Sequence, residues 1–305
     1  MSSTTTLVLS AAPGSGAVTD EVVQRVLAMF GLSAAHTRWL APGDAWEATP
    51  HLDEGTSELR AAAQGAVASL PIDVNIVPGA PEERRKRLLC ADMESTIIEQ
   101  ELIDEIAGLV GCHAEISAIT AAAMRGELDF EGSLVKRVAL FAGLDAQRLA
   151  PLLDRVTLMP GAEALIATMR AHGARCALIS GGFTIFAEQV AERVGFDAVV
   201  ANVLEIEGGR LTGRVKEPIV GPQGKADALR RLAAGHGLDA VQTLAVGDGA
   251  NDVAMLAAAG LGVAYRAKPI LADRARALAS GAVVTHGDLT ALLHLQGYAR
   301  GEFGG

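Results

Sequence analysis

Aromatic side chains are scarce in this chain of 305 residues: seven Phe, two Tyr and two Trp, or 4% of the total. Half of the residues are nevertheless apolar, so a sizeable core must come from Ala and aliphatic side chains, which suits closely packed helices and strands. Positive charge is also short. Twenty-six Lys and Arg face 36 Asp and Glu, a net charge of −10. That argues against nucleic acid and anionic membrane as partners, because phosphate backbones need clustered Lys and Arg. The one basic run, Arg84 to Arg87, follows Glu82-Glu83 and reads as a solvated linker. Only three cysteines are present, Cys90, Cys112 and Cys176, with no CxxC pair. They read as small core residues in a reducing compartment, not as a disulfide framework or zinc site. No uncharged apolar run reaches membrane-spanning length, and no positive charge precedes an apolar stretch at the N-terminus. The expectation is a soluble cytoplasmic protein.

What is there falls into two patterns. Residues 5–11 read as a strand and 19–31 as a helix, with Thr19 as N-cap and Val22, Val26, Met29 and Phe30 on one face. Strands near 35–41 and 45–50, a helix over 56–69 and a strand over 71–78 complete a βαββαβ order, a small α+β ferredoxin-like domain of the kind used for regulation. Pro78-Gly-Ala-Pro81 breaks the chain, and the domain boundary is placed at about residue 80. Beyond it, a strand at 87–92 precedes four helical segments near 96–110, 114–125, 130–142 and 145–154. A helix at 161–172 follows, then strands at 174–180, 197–202, 241–247, 261–264 and 282–285 alternate with helices at 184–194, 224–235, 251–259 and 288–296. Such alternation predicts a doubly wound parallel sheet with helices on both faces. The core is then 81–98 with 156–305, and residues 99–155 form a helical cap inserted over the carboxyl end of the first strand, where doubly wound folds bind ligands.

Four groups that carry chemistry sit at the ends of predicted strands or the starts of helices. Asp92-Met-Glu94-Ser-Thr96 is an acid pair after an apolar run; alone, it reads equally well as an acidic helix N-terminus. Ser180-Gly-Gly-Phe-Thr184 can aim a hydroxyl and backbone N–H groups at an anion, or can simply turn a strand into a helix. Lys225, after Gly221-Pro-Gln-Gly, lies in the first turn of a helix, where the macrodipole disfavours a cation. A bound phosphate or a carboxylate nucleophile would balance it; equally, it reads as an exposed Lys. Gly247-Asp248-Gly-Ala-Asn251-Asp252 is the most specific of the four, since its crowded hard oxygen ligands suit Mg²⁺. Parallel strands bring their carboxyl ends to one edge, so all four loops can converge. Together they hold what phosphoryl transfer to a carboxylate needs: a nucleophile, an acid/base, a hydroxyl, a cation and metal ligands.

The order DxExST, SGG, GK, GDGAND resembles the haloacid dehalogenase superfamily of phosphatases, and DMESTIIEQELIDEIA with VGDGANDVAMLAAAGLGVAY resembles its phosphoserine phosphatase branch. The resemblance covers about residues 87–297, and the segment before it is similar to the ACT-like domains that precede some members. It implies that Asp92 is the nucleophile and a Mg²⁺ ligand. Glu94 is then the acid/base, its backbone carbonyl also reaching the metal. Asp248 is a further metal ligand, with Asp252 supporting that shell. Ser180, Gly181 and Lys225 hold the phosphate, and Asn251 helps at the phosphate or the attacking water. In the cap, Glu101 meets the substrate ammonium and Arg137 its carboxylate, while Met124 and Phe130 shield the site. The stripe of Leu134, Val138 and Phe141 on helix 130–142 is interrupted by Arg137, whose stem either snorkels to solvent or forks onto a carboxylate.

The implied activity is Mg²⁺-dependent hydrolysis of O-phospho-L-serine through an aspartyl-phosphate, the last step of serine synthesis. The alternatives are another small phosphate ester, such as phosphothreonine or homoserine phosphate, or an amino-acid-sensing protein whose core no longer turns over. A homodimer is one assembly that this reading admits. The pattern departs from the family at Glu94, where Asp is usual. Glu is longer by about 1.5 Å, and a misplacement of about 1 Å can cost on the order of 100-fold in rate.

Overall fold

The central strand is Leu88–Ala91 (β5), whose four residues are all buried. Such a run without alternation belongs to a parallel sheet covered on both faces. In the computed structural model, which describes residues 5–30, 37–49, 56–80 and 83–304, β5 lies between two other parallel strands. The remaining strands of this sheet are β6 (Arg175–Phe183), β7 (Ala198–Glu207), β8 (Arg210–Lys216), β9 (Thr243–Gly247), β10 (Leu261–Tyr265) and β11 (Gly281–Val284). Their order is β11-β10-β9-β5-β6-β7-β8. All pairings are parallel except β7 with β8. The chain leaves β5 towards β6 and later returns to its other side with β9. The carboxyl end of β5 is therefore the point where the winding reverses and a crevice opens.

The pleat divides two cores. Leu89 and Ala91 face one layer, with Leu165 and Ile166 of α6 (Ala162–Ala171) and Phe186 of α7 (Thr184–Val194). Leu88 and Cys90 face the other, with Leu229 of α8 (Pro222–Gly235), Leu256 of α9 (Val253–Ala258) and Leu271 of α10 (Pro269–Ala277). The three cysteines are free and buried. Between β5 and α6 the cap holds α3 (Leu102–Val110), α4 (His113–Met124) and α5 (Phe130–Ala139). The helix expected from 96 starts only at Leu102, because residues 93–101 turn, with Ser95 at a left-handed φ of 55°. The segment at 145–154 forms two 3₁₀ turns, not an α-helix. Two elements escaped the sequence pattern. Strand β8 lacks a clean apolar alternation because it is an edge strand packed against α5, and α10 is short and rich in Arg.

The N-terminal segment contains β1 (Thr5–Ala11), α1 (Asp20–Phe30), β2 (Thr37–Ala41), β3 (Ala45–Ala48), α2 (Thr56–Ala66) and β4 (Ile72–Pro78). Its antiparallel sheet runs β2-β3-β1-β4. Thr19 caps α1 through the Val22 N–H at 3.2 Å. Val22 and Val26 are buried and Met29 is exposed; the Phe30 side chain, the start of the expected strand at 35–41, and Pro81 of the break lie outside the described residues. Leu7, Leu9 and Trp46 face the two helices of this segment. Val8, Leu40, Ala45 and Val77 turn the other way, into the core that includes Leu292 and Leu295 of α11 (Ala291–Leu295).

Polar side chains key the two sheets together. Asn75 completes the open edge of β11: its amide donates to Val283 O at 2.9 Å, and its oxygen accepts from Val283 N at 2.8 Å. Asp73 accepts N–H bonds from Thr285, His286 and Gly287 at 2.9, 3.0 and 2.9 Å. Arg84, only 1% exposed, pairs with buried Glu47 and donates to Leu295 O at 3.0 Å. Lys86 is buried too and donates to Val241 O at 2.8 Å, with burial and then the charge of Arg84 pushing its ammonium down to about 8. The basic run is thus part of the joint between the sheets, not a solvated linker. Local composition could not show this, because the acid that balances Arg84 lies on β3.

Candidate active site

Asp92 follows β5 directly and is held by its N–H, which donates to Val246 O of β9 at 2.9 Å. Asp92 Oδ1 accepts from the Met93 N–H at 2.8 Å and meets Lys225 Nζ at 2.7 Å. Among the described residues, Asp92 Oδ2 has no protein partner. Lys225 is fully buried near the N-terminal end of α8 and also touches Asp252 Oδ1 at 2.7 Å. Burial alone would push this ammonium down; Asp252 and Asp92 override it and hold the pKa above its ordinary value. The cation that looked misplaced at a helix start is balanced by two carboxylates from two other loops. Asp252 Oδ2 accepts from the Gly249 N–H at 3.1 Å, so both of its oxygens are engaged. Gly247 has to be glycine, since a Cβ there would lie 2.3 Å from the Asp252 carboxyl carbon.

Oxygens of Asp92, Asp248 and Asp252 lie within 4.8 Å of one another. Burial, then Asp92, pushes Asp252 up to about 7 against the opposing pull of Lys225. Asp248 is also pushed up, by burial and by Asp92, with Lys268 opposing. The buried charge is therefore in acid excess, and the donors are hard oxygens. Both properties fit a divalent cation, so the cluster could hold a metal ion.

Glu94 absorbs its extra length by reaching across to the cap. Its Oε1 accepts the Leu102 N–H at the start of α3, at 2.7 Å. Its Oε2 faces Gly182, where a Cβ would be only 3.0 Å away. Burial, then the charge of Glu101, pushes the Glu94 carboxyl up to about 8; Asp92 contributes less. Desolvation and the cap acid thus outweigh the neighbouring nucleophile candidate in setting this rise. On the far side of the crevice, Ser180 Oγ accepts the Gly182 N–H at 2.9 Å, and the Phe130 ring packs over Gly181 and Gly221. Asn251 is half-buried with its Oδ1 folded over Gly249.

In the cap, Glu101 accepts from Ser95 Oγ at 2.9 Å. Burial pushes the Arg137 guanidinium down, while Glu94, Asp104 and Glu101 oppose that. Arg137 thus faces the crevice acids, and its Nε donates to Ser133 O at 3.3 Å. Met124 stands apart at the end of α4, 76% exposed, outside the group that the other residues form.

Two residues at the site were not anticipated. Lys268, which caps α10, places Nζ 3.1 Å from Asp248 Oδ2 and 4.0 Å from Glu101 Oε1, so it spans core and cap. Asn202 on β7 is buried behind the glycines. Its Nδ2 donates to Gly181 O at 2.8 Å, and its Oδ1 accepts the Val220 N–H at 2.7 Å. It clamps the Ser180 loop to the segment that enters α8 and so sets the distance from the loop amides to Lys225. A lone polar residue inside an apolar strand was the available signal. Replacing it by Leu leaves buried backbone groups unpaired, at about 1–3 kcal/mol each. In Asn202→Leu we expect inhibition by inorganic phosphate to weaken about tenfold, with KM rising more than kcat falls. Unchanged phosphate inhibition would remove the positioning role.

A family model described as haloacid dehalogenase-like hydrolase matches residues 89–257. The phosphoserine phosphatase of Streptomyces coelicolor is 46% identical over 247 residues, which are 81% of this chain and 59% of that protein. The chain thus spans little more than half the length of this curated relative. A crystal structure of a HAD family hydrolase from Salmonella enterica serovar Typhi superposes with a TM-score of 0.83 at 29% identity, covering 95% of this chain and 98% of that one. An unliganded probable phosphoserine phosphatase from Vibrio cholerae gives 0.76 at 31% identity, covering 98% and 88%.

Proposed function

Since the chain belongs to the haloacid dehalogenase-like hydrolases, we propose that it hydrolyses O-phospho-L-serine to serine and phosphate with Mg²⁺ as its metal. The observation that carries this reading is the contact of Lys225 Nζ with Asp92 Oδ1 at 2.7 Å, with a raised carboxyl at Glu94 nearby. Asp92 attacks phosphorus as the ester P–O bond breaks, giving an aspartyl-phosphate. Glu94, protonated at neutral pH, gives its proton to the departing serine oxygen. The resulting carboxylate then takes a proton from water, which attacks phosphorus and frees Asp92. Lys225, the Ser180 hydroxyl and the Gly181 amide would hold the phosphoryl oxygens and offset the charge that develops on them. Asp92, Asp248 and the Glu94 backbone carbonyl would hold Mg²⁺, with Asp252 behind them, and its charge offsets the repulsion between the carboxylate and the phosphate dianion. Glu101 and Arg137, of opposite charge and both near Glu94, suit the ammonium and carboxylate of an amino acid. Met124 has no part in this constellation as it stands. The strand order β2-β3-β1-β4 supports an ACT-like regulatory role for the N-terminal sheet, which offers no comparable cluster among its described residues.

The test is phosphate release from a panel of small esters with Mg²⁺. Phosphoserine is expected to lead in kcat/KM; a better phosphothreonine or homoserine phosphate would overturn the substrate. Glu94→Gln is expected to lower kcat by about 10²–10⁴-fold. Glu94→Asp should lose at most about 100-fold, since its shorter arm still carries a proton. Equal activity of the wild type and Glu94→Gln would remove the proton role.

A further inference from the structure

Beside the joint formed by Asp73 and Asn75, between α2 and the end of α10, lies a cleft of about 230 Å³ that is remote from Asp92. Its wall carries Arg60 from the N-terminal segment, Arg276 from the last turn of α10, His286, Gln64 and Ser69. The chain is acidic overall, at −10, yet this cleft gathers basic groups from two separate parts of the fold. Arg60 is half-buried and donates to the Arg276 main-chain oxygen at 2.7 Å, which brings the two arginines together. Burial, then the charge of Arg276, pushes the Arg60 guanidinium down. The acids around them leave Arg60 without a carboxylate of its own among the described residues. Asp73, the acid in its wall, spends its oxygens on three backbone N–H groups. Asp273 reaches Arg276 at 3.1 Å from the exposed side of α10. Ser69, at a left-handed φ of 74°, also lines the cleft.

We propose that this cleft binds a small dianion, held between the guanidinium forks of Arg60 and Arg276. Two cations converging in a partly dry cleft repel each other, and an anion with several acidic oxygens relieves that while accepting both forks. The cleft is smaller than the roughly 300–1,000 Å³ of sites for drug-sized ligands, so the ligand is compact: a phosphate group or a short dicarboxylate. Because Arg60 and Arg276 belong to different sheets' helices, such a ligand ties the N-terminal segment to the parallel sheet.

The site is tested on the full chain by ¹H–¹⁵N spectra at fixed ionic strength, with inorganic phosphate in one arm and malonate in the other. Backbone signals of Ser69, Gly281 and His286 are expected to move saturably. The midpoint should rise about tenfold or more in Arg60→Gln and in Arg276→Gln. Arg276 is about half exposed, so its replacement leaves the core intact, and Arg276→Lys, which keeps charge but not the fork, should fall between. Saturation by phosphate alone assigns a phosphoryl ligand, and by malonate alone a dicarboxylate; either outcome supports the site. Movement confined to the surroundings of Gly181 and Lys225, or equal midpoints in the wild type and Arg60→Gln, overturns it.

Discussion

In Asp92→Asn, phosphate release from phosphoserine should fall by about 10⁴-fold or more while the fold is kept. The amide is nearly the same size, but its nitrogen lone pair is delocalised and it cannot form an acyl phosphate. The Met93 N–H, which donates to Asp92 Oδ1, can bond the amide oxygen equally well, and Lys225 retains Asp252. One negative charge leaves a cluster in which Asp92 helps to push up both Asp252 and Asp248. Without metal, the variant should therefore melt no lower than the wild type, and Mg²⁺ should raise its melting temperature less. Calorimetry with and without Mg²⁺, beside a phosphate-release assay, reads both effects. More than about 1% residual turnover in purified variant would contradict a nucleophilic role, because loss of a nucleophile is among the largest single effects known.

Lys225→Met should be costly to the fold as well as to turnover. Methionine matches the length of the stem but leaves Asp92 and Asp252 buried without their common cation. Breaking a buried ion pair from one side costs about 3–5 kcal/mol, a fall in melting temperature on the order of 10 °C. Most of that cost is the stranded acids rather than the lost attraction. Adding Asp252→Asn to Lys225→Met should hence recover part of the stability, and the two changes should not be additive. Activity should not return, since nothing then faces the phosphoryl oxygens from α8. Thermal melts of both singles and the double decide this; additive losses would show that Asp252 and Lys225 act independently.

Much of the candidate site could be read from the chain because its signals are local. Asp92 ends an apolar run that becomes β5, and Asp248 to Asp252 follow the run that becomes β9. Alternating strands and helices imply parallel pairing, and parallel pairing alone sends both loops to one edge. The balance of Lys225 was expected from the helix macrodipole, though not that two acids would share it. Less local matters were hidden. The turn at residues 93–101 places Glu94 under the first N–H of α3, and no periodicity encodes that bond. Asn202 and Lys268 act on partners in other loops, and their own surroundings look like an ordinary strand end and an ordinary helix start.

The order of the four motifs by itself pointed to the class of chemistry, since the candidate nucleophile, cation and metal-binding acids are set by residue type and by their places at strand ends. Only the tertiary structure decided how the charges are shared. It pairs Arg84 with Glu47 across two sheets, Lys225 with Asp92 and Asp252, and Glu94 with the cap. Electrostatic partnership depends on distance in space and on exclusion of water, and separation along the chain specifies neither.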